Sequence, residues 1–116
     1  MLKWSQDLYI GDEIFDSFET VRERLDRGEP VVRAWLLTKP ANPVNQLEIM
    51  NCRYLVQEAC REHVPEIIGM ALDRSEAVRM IELMTKACVE RTNGADLRAF
   101  LETLPDIPEI HHIHNT

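Results

Sequence analysis

The sequence VVRAWLL, residues 31–37, is the most continuous apolar stretch in the chain, and the loop TKPANP, residues 38–43, follows it directly. β-Branched, aromatic and aliphatic side chains dominate this stretch, and such runs favour a strand that is buried on both faces. Arg33 is its only charged residue, and we expect its side chain to reach the rim of a sheet or an acidic partner. Residues 31–37 therefore predict the central strand of the fold.

Two other segments have the composition of strands, one on each side of this stretch along the chain. Residues 4–10 form the first, and residues 67–72, which follow Pro65, form the other. Gly69 lies inside the later segment, where a glycine indicates a β-bulge or the close approach of another backbone. The sequence thus predicts three strands.

Helical spacing of apolar residues follows each of these strands. The complete pattern predicts four helices, over about residues 17–27, 44–61, 74–91 and 95–101. Phe18, Val21 and Leu25 share one face of the first helix. Asp73 and Glu76, which are three residues apart, are a capping pair at the start of the third helix.

The alternation of strands and helices predicts an α/β domain. We expect a two-layer β-α-β-α-β-α-α arrangement, in which a small three-stranded, mainly parallel sheet has its helices packed on one face. The other face of that sheet would be partly uncovered, with Tyr9 and Trp35 as members. Because exposed apolar faces mark interfaces, we expect the C-terminal segment or a second copy of the chain to cover it. Residues 1–103 would then form a single α/β domain, and residues 104–116 a C-terminal arm or tail.

Length and charge limit the function classes. The chain has 116 residues, with 13 Lys and Arg against 20 Asp and Glu and a net charge of −7. Nucleic acids and anionic membranes attract basic surfaces, so we expect neither as a partner of this acidic protein. No apolar run approaches the ~20 residues that cross a bilayer, and no signal peptide is evident. We therefore expect a cytoplasmic protein.

Cys52, Cys60 and Cys88 form an odd set without a Cys-x-x-Cys motif. We interpret these cysteines as small buried hydrophobic residues in a reducing cytosol. The alternative is a reactive thiol, which would need a nearby cation or a helix N-terminus to lower its pKa.

A ligand site is expected where the predicted parallel strands end, because ligands of open α/β sheets bind beyond the C-terminal ends of the strands. Three loops would share this C-terminal rim of the sheet, and two of them carry a cation, Lys39 and Arg74. Cations beside helix N-termini attract anions, so the rim predicts a site for a small carboxylate or phosphate ester. Its candidate residues are Thr38, Lys39, Asn42, Asn45, Asp73, Arg74 and Ser75.

The alternative interpretation of this rim is structural. Asp73 and Ser75 would cap a helix, the prolines would shape a loop, and Lys39 and Arg74 would be solvated. No Gly-x-Gly-x-x-Gly sequence and no phosphate-binding Gly-Lys-Ser/Thr sequence is present, so we expect no nucleotide cofactor.

His111, His112 and His114 are the densest cluster of metal-ligand residues. Alternate residues of a strand share a face, so His112 and His114 could bind one metal ion, with Glu109 or a second subunit completing the coordination. The alternative is a mobile tail that binds metal ions only adventitiously.

Catalytic motifs are absent from the sequence. It contains no Gly-x-Ser-x-Gly, and no cysteine can be paired with a histidine. Asp12 and Glu13 are conceivable as an acid–base pair at the rim, with solvation at the surface as the favoured alternative. We therefore expect a noncatalytic domain that forms a homo-oligomer or contacts a protein partner. The alternative is a binder of, or an enzyme acting on, a small anionic metabolite.

Overall fold

The computed structural model describes residues 2–42 and 44–114, and these residues form five strands in one sheet. The strands are β1 (Trp4–Gly11), β2 (Trp35–Thr38), β3 (Glu48–Asn51), β4 (Ile67–Ala71) and β5 (Ile110–His114). They lie in the order β3-β2-β4-β1-β5. β1 and β4 are parallel, whereas β2 is antiparallel to both β3 and β4, and β5 is antiparallel to β1.

The general α/β class is confirmed, but the expected three-stranded, mainly parallel sheet is wrong. Two of the five strands, β3 and β5, lie in segments that were expected to be a helix and an arm or tail. The direction of β2 is the second difference, since its residue Trp35 is opposite Ala71 and its residue Thr38 is opposite Ile67. β2 is therefore antiparallel to the strand that we expected to be its parallel neighbour.

The segment 44–61, expected to be one long helix, contains three elements instead. It begins with β3, continues in a 3₁₀ helix, Cys52–Val56, and ends in the short helix α2 (Glu58–Arg61). Short apolar runs are compatible with either a helix or a strand, because periodicity alone cannot separate the two. In this protein the start of the segment is a strand because it pairs with the edge of β2. Leu36 is opposite Met50, and Leu37 is opposite Ile49.

The other helices agree with the sequence pattern. They are α1 (Phe18–Asp26), α3 (Arg74–Thr92) and α4 (Leu97–Glu102). α1 buries Phe18, Val21 and Leu25, as their spacing predicts. α3 ends at Asn93, whose φ of 55° places it in the left-handed region. None of the helices in the described part of the chain is long and apolar enough to cross a membrane.

Helices cover both faces of the sheet, so the expected two-layer arrangement is also wrong. One core contains Leu8, Ile10 and Leu36 of the sheet, together with the buried side chains of α1 and of the 3₁₀ helix. The other core contains Tyr9 and Leu37, together with the buried side chains of α3 and α4. Tyr9 is buried and Trp35 is partly buried against this second core. The face that we expected to be uncovered is therefore packed within one copy of the chain.

Gly69 shows both features that its position in a strand predicts. Leu37 of β2 pairs with Gly69. The next residue of β2, Thr38, pairs with Ile67, so β4 contains one extra residue at this point. A Cβ atom on residue 69 would lie 2.6 Å from the backbone oxygen of Tyr9. The glycine thus allows a bulge and a close approach of β1 at the centre of the sheet.

Candidate functional site

The predicted ligand-binding residues lie at opposite ends of the sheet. The Gly11 end, as we call it, contains the last residues of β1 and β4 and the first residue of β2. The Thr38 end contains the last residue of β2 and the first residue of β4. Lys39 follows β2 and Arg74 follows β4, so these two cations are separated by the length of the strands. The expected shared rim is wrong, because it required β2 to be parallel to β4.

Thr38 and Lys39 occupy the Thr38 end. The side chain of Thr38 is buried, and the Lys39 ammonium lies 2.8 Å from a carboxylate oxygen of Glu66. The side chains of Lys39 and Glu66 are 54% and 38% exposed, so this ion pair is weak and easily exchanged.

Asn42 and Asn45 shape the loop between β2 and β3. The Asn42 side-chain oxygen accepts hydrogen bonds from the backbone N–H groups of Val44 and Asn45, each at 3.0 Å. The Asn45 amide donates a hydrogen bond to Glu48 at the start of β3. These contacts hold the turn that leads the chain back alongside β2.

Asp73, Arg74 and Ser75 lie at the Gly11 end, at the start of α3. Asp73 caps α3 by accepting a hydrogen bond from the Glu76 N–H at 2.9 Å, and its other oxygen lies 2.8 Å from the Arg33 guanidinium. Arg33 thus has the acidic partner that its position predicts. The side chains of Arg74 and Ser75 are exposed. Ligand binding by these residues stays a prediction, as it does for those at the other end.

Glu76 is a functional-site candidate that the sequence did not single out beyond its role in a cap. It is 8% exposed, and its two carboxylate oxygens accept hydrogen bonds from the backbone N–H groups of Leu72 and Glu13, at 2.8 and 2.7 Å. The carboxylate therefore joins the loops that follow β4 and β1. Gly11 makes room for this carboxylate, since a Cβ atom on residue 11 would overlap it.

A groove of about 820 Å³ opens beside Glu76, and its charged lining is mainly acidic. Asp12, Glu13 and Glu109 contribute carboxylates, and Arg79 contributes a guanidinium. The Arg79 guanidinium lies 2.6 Å from the Glu109 carboxylate, so this cation is paired within the groove. Such a lining disfavours the small anion that was predicted for this end of the sheet.

Two of the C-terminal histidines share a face of β5, as expected. His112 Nε2 and His114 Nδ1 each contact the same oxygen of Asp7, Oδ1, at 2.9 and 3.0 Å. Carboxylates only accept hydrogen bonds, so both of these ring nitrogens donate. His111 is on the other face, where its ring stacks on Phe15 with 3.8 Å between ring centroids.

Metal binding by the three histidines stays a prediction. Within residues 2–42 and 44–114, no group of three or more His, Cys, Asp or Glu side chains has an arrangement that could hold a metal ion. Glu109, the expected additional ligand, pairs with Arg79 instead.

Asp7 is the acceptor that fastens β5 to β1 through side chains. Hydrogen bonds from His114 and His112 lower the pKa of the Asp7 carboxyl, with burial opposing them in part. Tyr9, in the same strand, stacks on the ring of His112 and donates its hydroxyl to the carbonyl oxygen of Pro105 at 2.9 Å. Burial, followed by the negative charges of Asp7 and Asp106, raises the pKa of Tyr9 to about 12.

The cysteines do not form a recognisable reactive site. Cys52 and Cys88 are buried, Cys60 is partly exposed, and all three are free thiols. Burial raises the pKa of the Cys52 thiol, so a smaller fraction of it is in the nucleophilic thiolate form.

Candidates for function in the described part of the chain include two further structural features. One is the outer edge of β5, which pairs with β1 on its inner side and is the last strand of the sheet. The other is a pocket of about 330 Å³ at the Thr38 end. No protein-family model, curated protein or solved structure matches the chain. The function therefore has to be inferred from these contacts and their chemistry.

Proposed function

We propose that the protein is a noncatalytic domain that forms a homodimer by pairing β5 with β5 of a second copy. The observation that carries this proposal is the regular outer edge of β5. Its five residues pair with β1 in consecutive register from Ile110 to His114, without a bulge. The last strand of a sheet presents unpaired backbone groups, which are a template for another strand.

The composition of β5 supports it over β3 as the interacting edge. Proteins protect edge strands with charged residues, prolines, bulges or short length. β3 has four residues and begins with Glu48. β5 has the sequence IHHIH, which contains no proline and no lysine, arginine or carboxylate. Among the edges of the described sheet, β5 therefore has fewer of these protective features.

Symmetry supports a second copy as the partner of β5, and the composition of β5 limits the electrostatic cost. Two antiparallel β5 strands related by a two-fold axis present identical surfaces to each other, so no second binding surface is needed. Each copy has a net charge of −7, and two such copies repel. Because β5 itself has no carboxylate, its edge lets the backbones approach at low electrostatic cost.

A protein partner in addition to the second copy is supported by a different surface. Val32, Tyr54 and Val56 are large apolar side chains that are exposed. The Cys52 thiol contacts the carbonyl oxygen of Val31, so the loop that carries Val32 lies beside the 3₁₀ helix that carries Tyr54 and Val56. We propose this surface as the contact for the partner, in the cytoplasmic compartment that the odd cysteine count supports.

The dimer is tested by sedimentation equilibrium between 1 and 500 µM protein. We expect a concentration-dependent shift from the mass of one chain to that of two. The double substitution His111→Lys with His114→Lys should weaken dimerisation at least tenfold, because it places like charges along both copies of the edge. His63→Lys, the same chemical change at an exposed histidine outside the sheet, should leave dimerisation unchanged.

Two results would overturn the proposal. A wild-type chain that stays monomeric at 500 µM does not dimerise in the way proposed. A dimer that is equally strong in the double variant, with an unchanged circular dichroism spectrum, does not use β5.

A further inference from the structure

The pocket at the Thr38 end has the size and lining of a small-molecule site. Its volume is about 330 Å³, at the lower end of the range of about 300–1,000 Å³ that is typical of ligand pockets. This volume fits a molecule of the size of an amino acid and is small for a dinucleotide. Leu47, Ile68 and Leu101 provide an apolar part of the lining.

The charges around this apolar part are balanced in sign. Asp7 and Glu102 supply two carboxylates, and Lys39 and Arg98 supply two cations. Asp7 and Lys39 are opposite in sign, so a ligand with one positive and one negative group complements both of them. The lining therefore favours a zwitterion.

Asp7 is prepared to receive a cationic group. Its side chain is 11% exposed, and the two histidine rings fix its orientation through Oδ1. Both rings contact Oδ1, so neither histidine uses the other oxygen, Oδ2. Because the histidine hydrogen bonds favour its ionised form, Asp7 carries its negative charge at neutral pH.

Lys39 is prepared to receive an anionic group. Its ammonium pairs only with the exposed Glu66 carboxylate among the ion pairs of the described residues. Exposed pairs of this kind contribute about 0–1 kcal/mol, so a ligand carboxylate can take the place of Glu66 at low cost.

We propose that this pocket binds a free α-amino acid with an apolar side chain. The ligand's ammonium group contacts Asp7 Oδ2, its carboxylate contacts the Lys39 ammonium, and its side chain lies against Ile68 and Leu101. Binding is noncovalent, and it goes beyond the dimerisation proposed above, because the pocket lies on the face covered by α4 and not at the outer edge of β5.

Isothermal titration calorimetry on the full chain tests this site with L-leucine and two analogues that keep its branched side chain but lack one of its charged groups. Isoamylamine keeps the ammonium and lacks the carboxylate, and 4-methylpentanoate keeps the carboxylate and lacks the ammonium. We expect L-leucine to bind, and each analogue to bind at least tenfold more weakly. L-Phenylalanine and L-methionine extend the test to other apolar side chains.

Substitutions then locate the site. Lys39→Met and Asp7→Asn should each weaken L-leucine binding at least tenfold, while Lys86→Met, at an exposed lysine of α3, should have no effect. The circular dichroism spectrum and the sedimentation of each variant establish that it is folded and has the wild-type oligomeric state.

Three outcomes overturn the inference. The first is no heat of binding from any of the three amino acids at 10 mM, confirmed by unchanged thermal unfolding. The second is 4-methylpentanoate or isoamylamine binding as tightly as L-leucine, which contradicts recognition of a zwitterion. The third is L-leucine binding that survives both Lys39→Met and Asp7→Asn, which places the ligand elsewhere.

Discussion

At the scale of single residues, Gly11 and Glu76 show how a missing side chain and a buried one depend on each other. Glu76 occupies the space beside Gly11 and satisfies the backbone N–H groups of Leu72 and Glu13. Burying a carboxylate is costly unless it is hydrogen-bonded, and these two contacts offset that cost. The pair therefore holds together the ends of β1 and β4, the parallel strands of the described sheet.

Gly11→Ala should destabilise the protein by about 2–3 kcal/mol. The added methyl group displaces the Glu76 carboxylate and removes the acceptor of two partly buried backbone N–H groups. Chemical denaturation with urea measures the change in the free energy of unfolding. Gly94→Ala is the matched control, because a Cβ atom there comes no closer than 3.6 Å to Thr92, and its effect should stay within about 0.5 kcal/mol. Equal effects of the two substitutions would contradict the proposed role of Gly11.

The sequence predicted the kind of residue at some of these positions but not their contacts. The spacing of Asp73 and Glu76 correctly indicates a helix cap, since Asp73 accepts the Glu76 N–H. Nothing in that spacing shows that the Glu76 carboxylate also reaches Glu13, which is 63 residues away in the chain. Contacts of this kind depend on which strands are neighbours, and the pattern of one segment cannot supply that information.

At the scale of elements, β5 is fastened to β1 by side chains as well as by backbone pairing. His112 and His114 project from β5 towards Asp7 of β1, and His111 contacts Asp12 beyond the end of β1. The histidines that were predicted as metal ligands thus serve as hydrogen-bond partners of aspartates across this strand pair. The attachment of β5 consequently depends on the ionisation of Asp7.

Asp7 should make stability depend on pH in the acidic range. Its folded pKa lies below its ordinary value of 3.8, so its stabilising contribution is present above that value and is lost as pH falls through the folded pKa. Wild-type protein should therefore lose more stability between pH 5 and pH 2.5 than Asp7→Asn, as measured by urea denaturation at each pH. Asp16→Asn, at an exposed aspartate, should follow the wild type. Parallel curves for wild type and Asp7→Asn would contradict this linkage.

The elements that were predicted correctly are those with a strong local signal. The spacing of Phe18, Val21 and Leu25 marks α1, and Asp73 and Asn93 mark the two ends of α3. β3 and β5 are different, because a four-residue strand and a histidine-rich strand have weak patterns of their own. They become strands by pairing with β2 and β1, which is a tertiary effect that overrides local preference.

At the scale of the whole molecule, β4 lies at the centre of the structure. It has β2 on one side and β1 on the other, and all five of its residues are buried. β3 and β5 have a neighbour on one side only in the described sheet, and their residues are mostly half-buried. Stability within the molecule should therefore decrease from β4 outwards.

Native-state hydrogen exchange measures this gradient. Amides in β4 should exchange most slowly, at rates set by global unfolding, because opening β4 breaks pairing on both of its sides. Amides in β3 should exchange faster, through local opening. Those in β5 should exchange fast in dilute monomer and become slower at concentrations at which the proposed dimer forms. Protection in β3 equal to that in β4 would contradict this gradient.

The candidate site illustrates why the molecule as a whole could not be predicted from the sequence. Lys39 was correctly identified as a cation at the end of a strand, and it lines the pocket at the Thr38 end. Its predicted neighbour Arg74 is at the opposite end, because one antiparallel strand, β2, reverses which loops meet. The sequence pattern gave Asp7 no role beyond its place in the strand predicted over residues 4–10. In the structure, Asp7 lines the same pocket as Lys39.

The position of β1 between β4 and β5 has a consequence for synthesis on the ribosome. β1 is translated first, but its neighbours include residues 67–71 and 110–114, which are translated much later. Until residues 67–71 have been made, β1 has neither of its strand partners, and its apolar side chains, such as Leu8 and Ile10, lack the core that buries them in the finished sheet. Since long-range pairing of this kind is slow, we expect the nascent chain to depend on molecular chaperones until β5 has emerged from the exit tunnel.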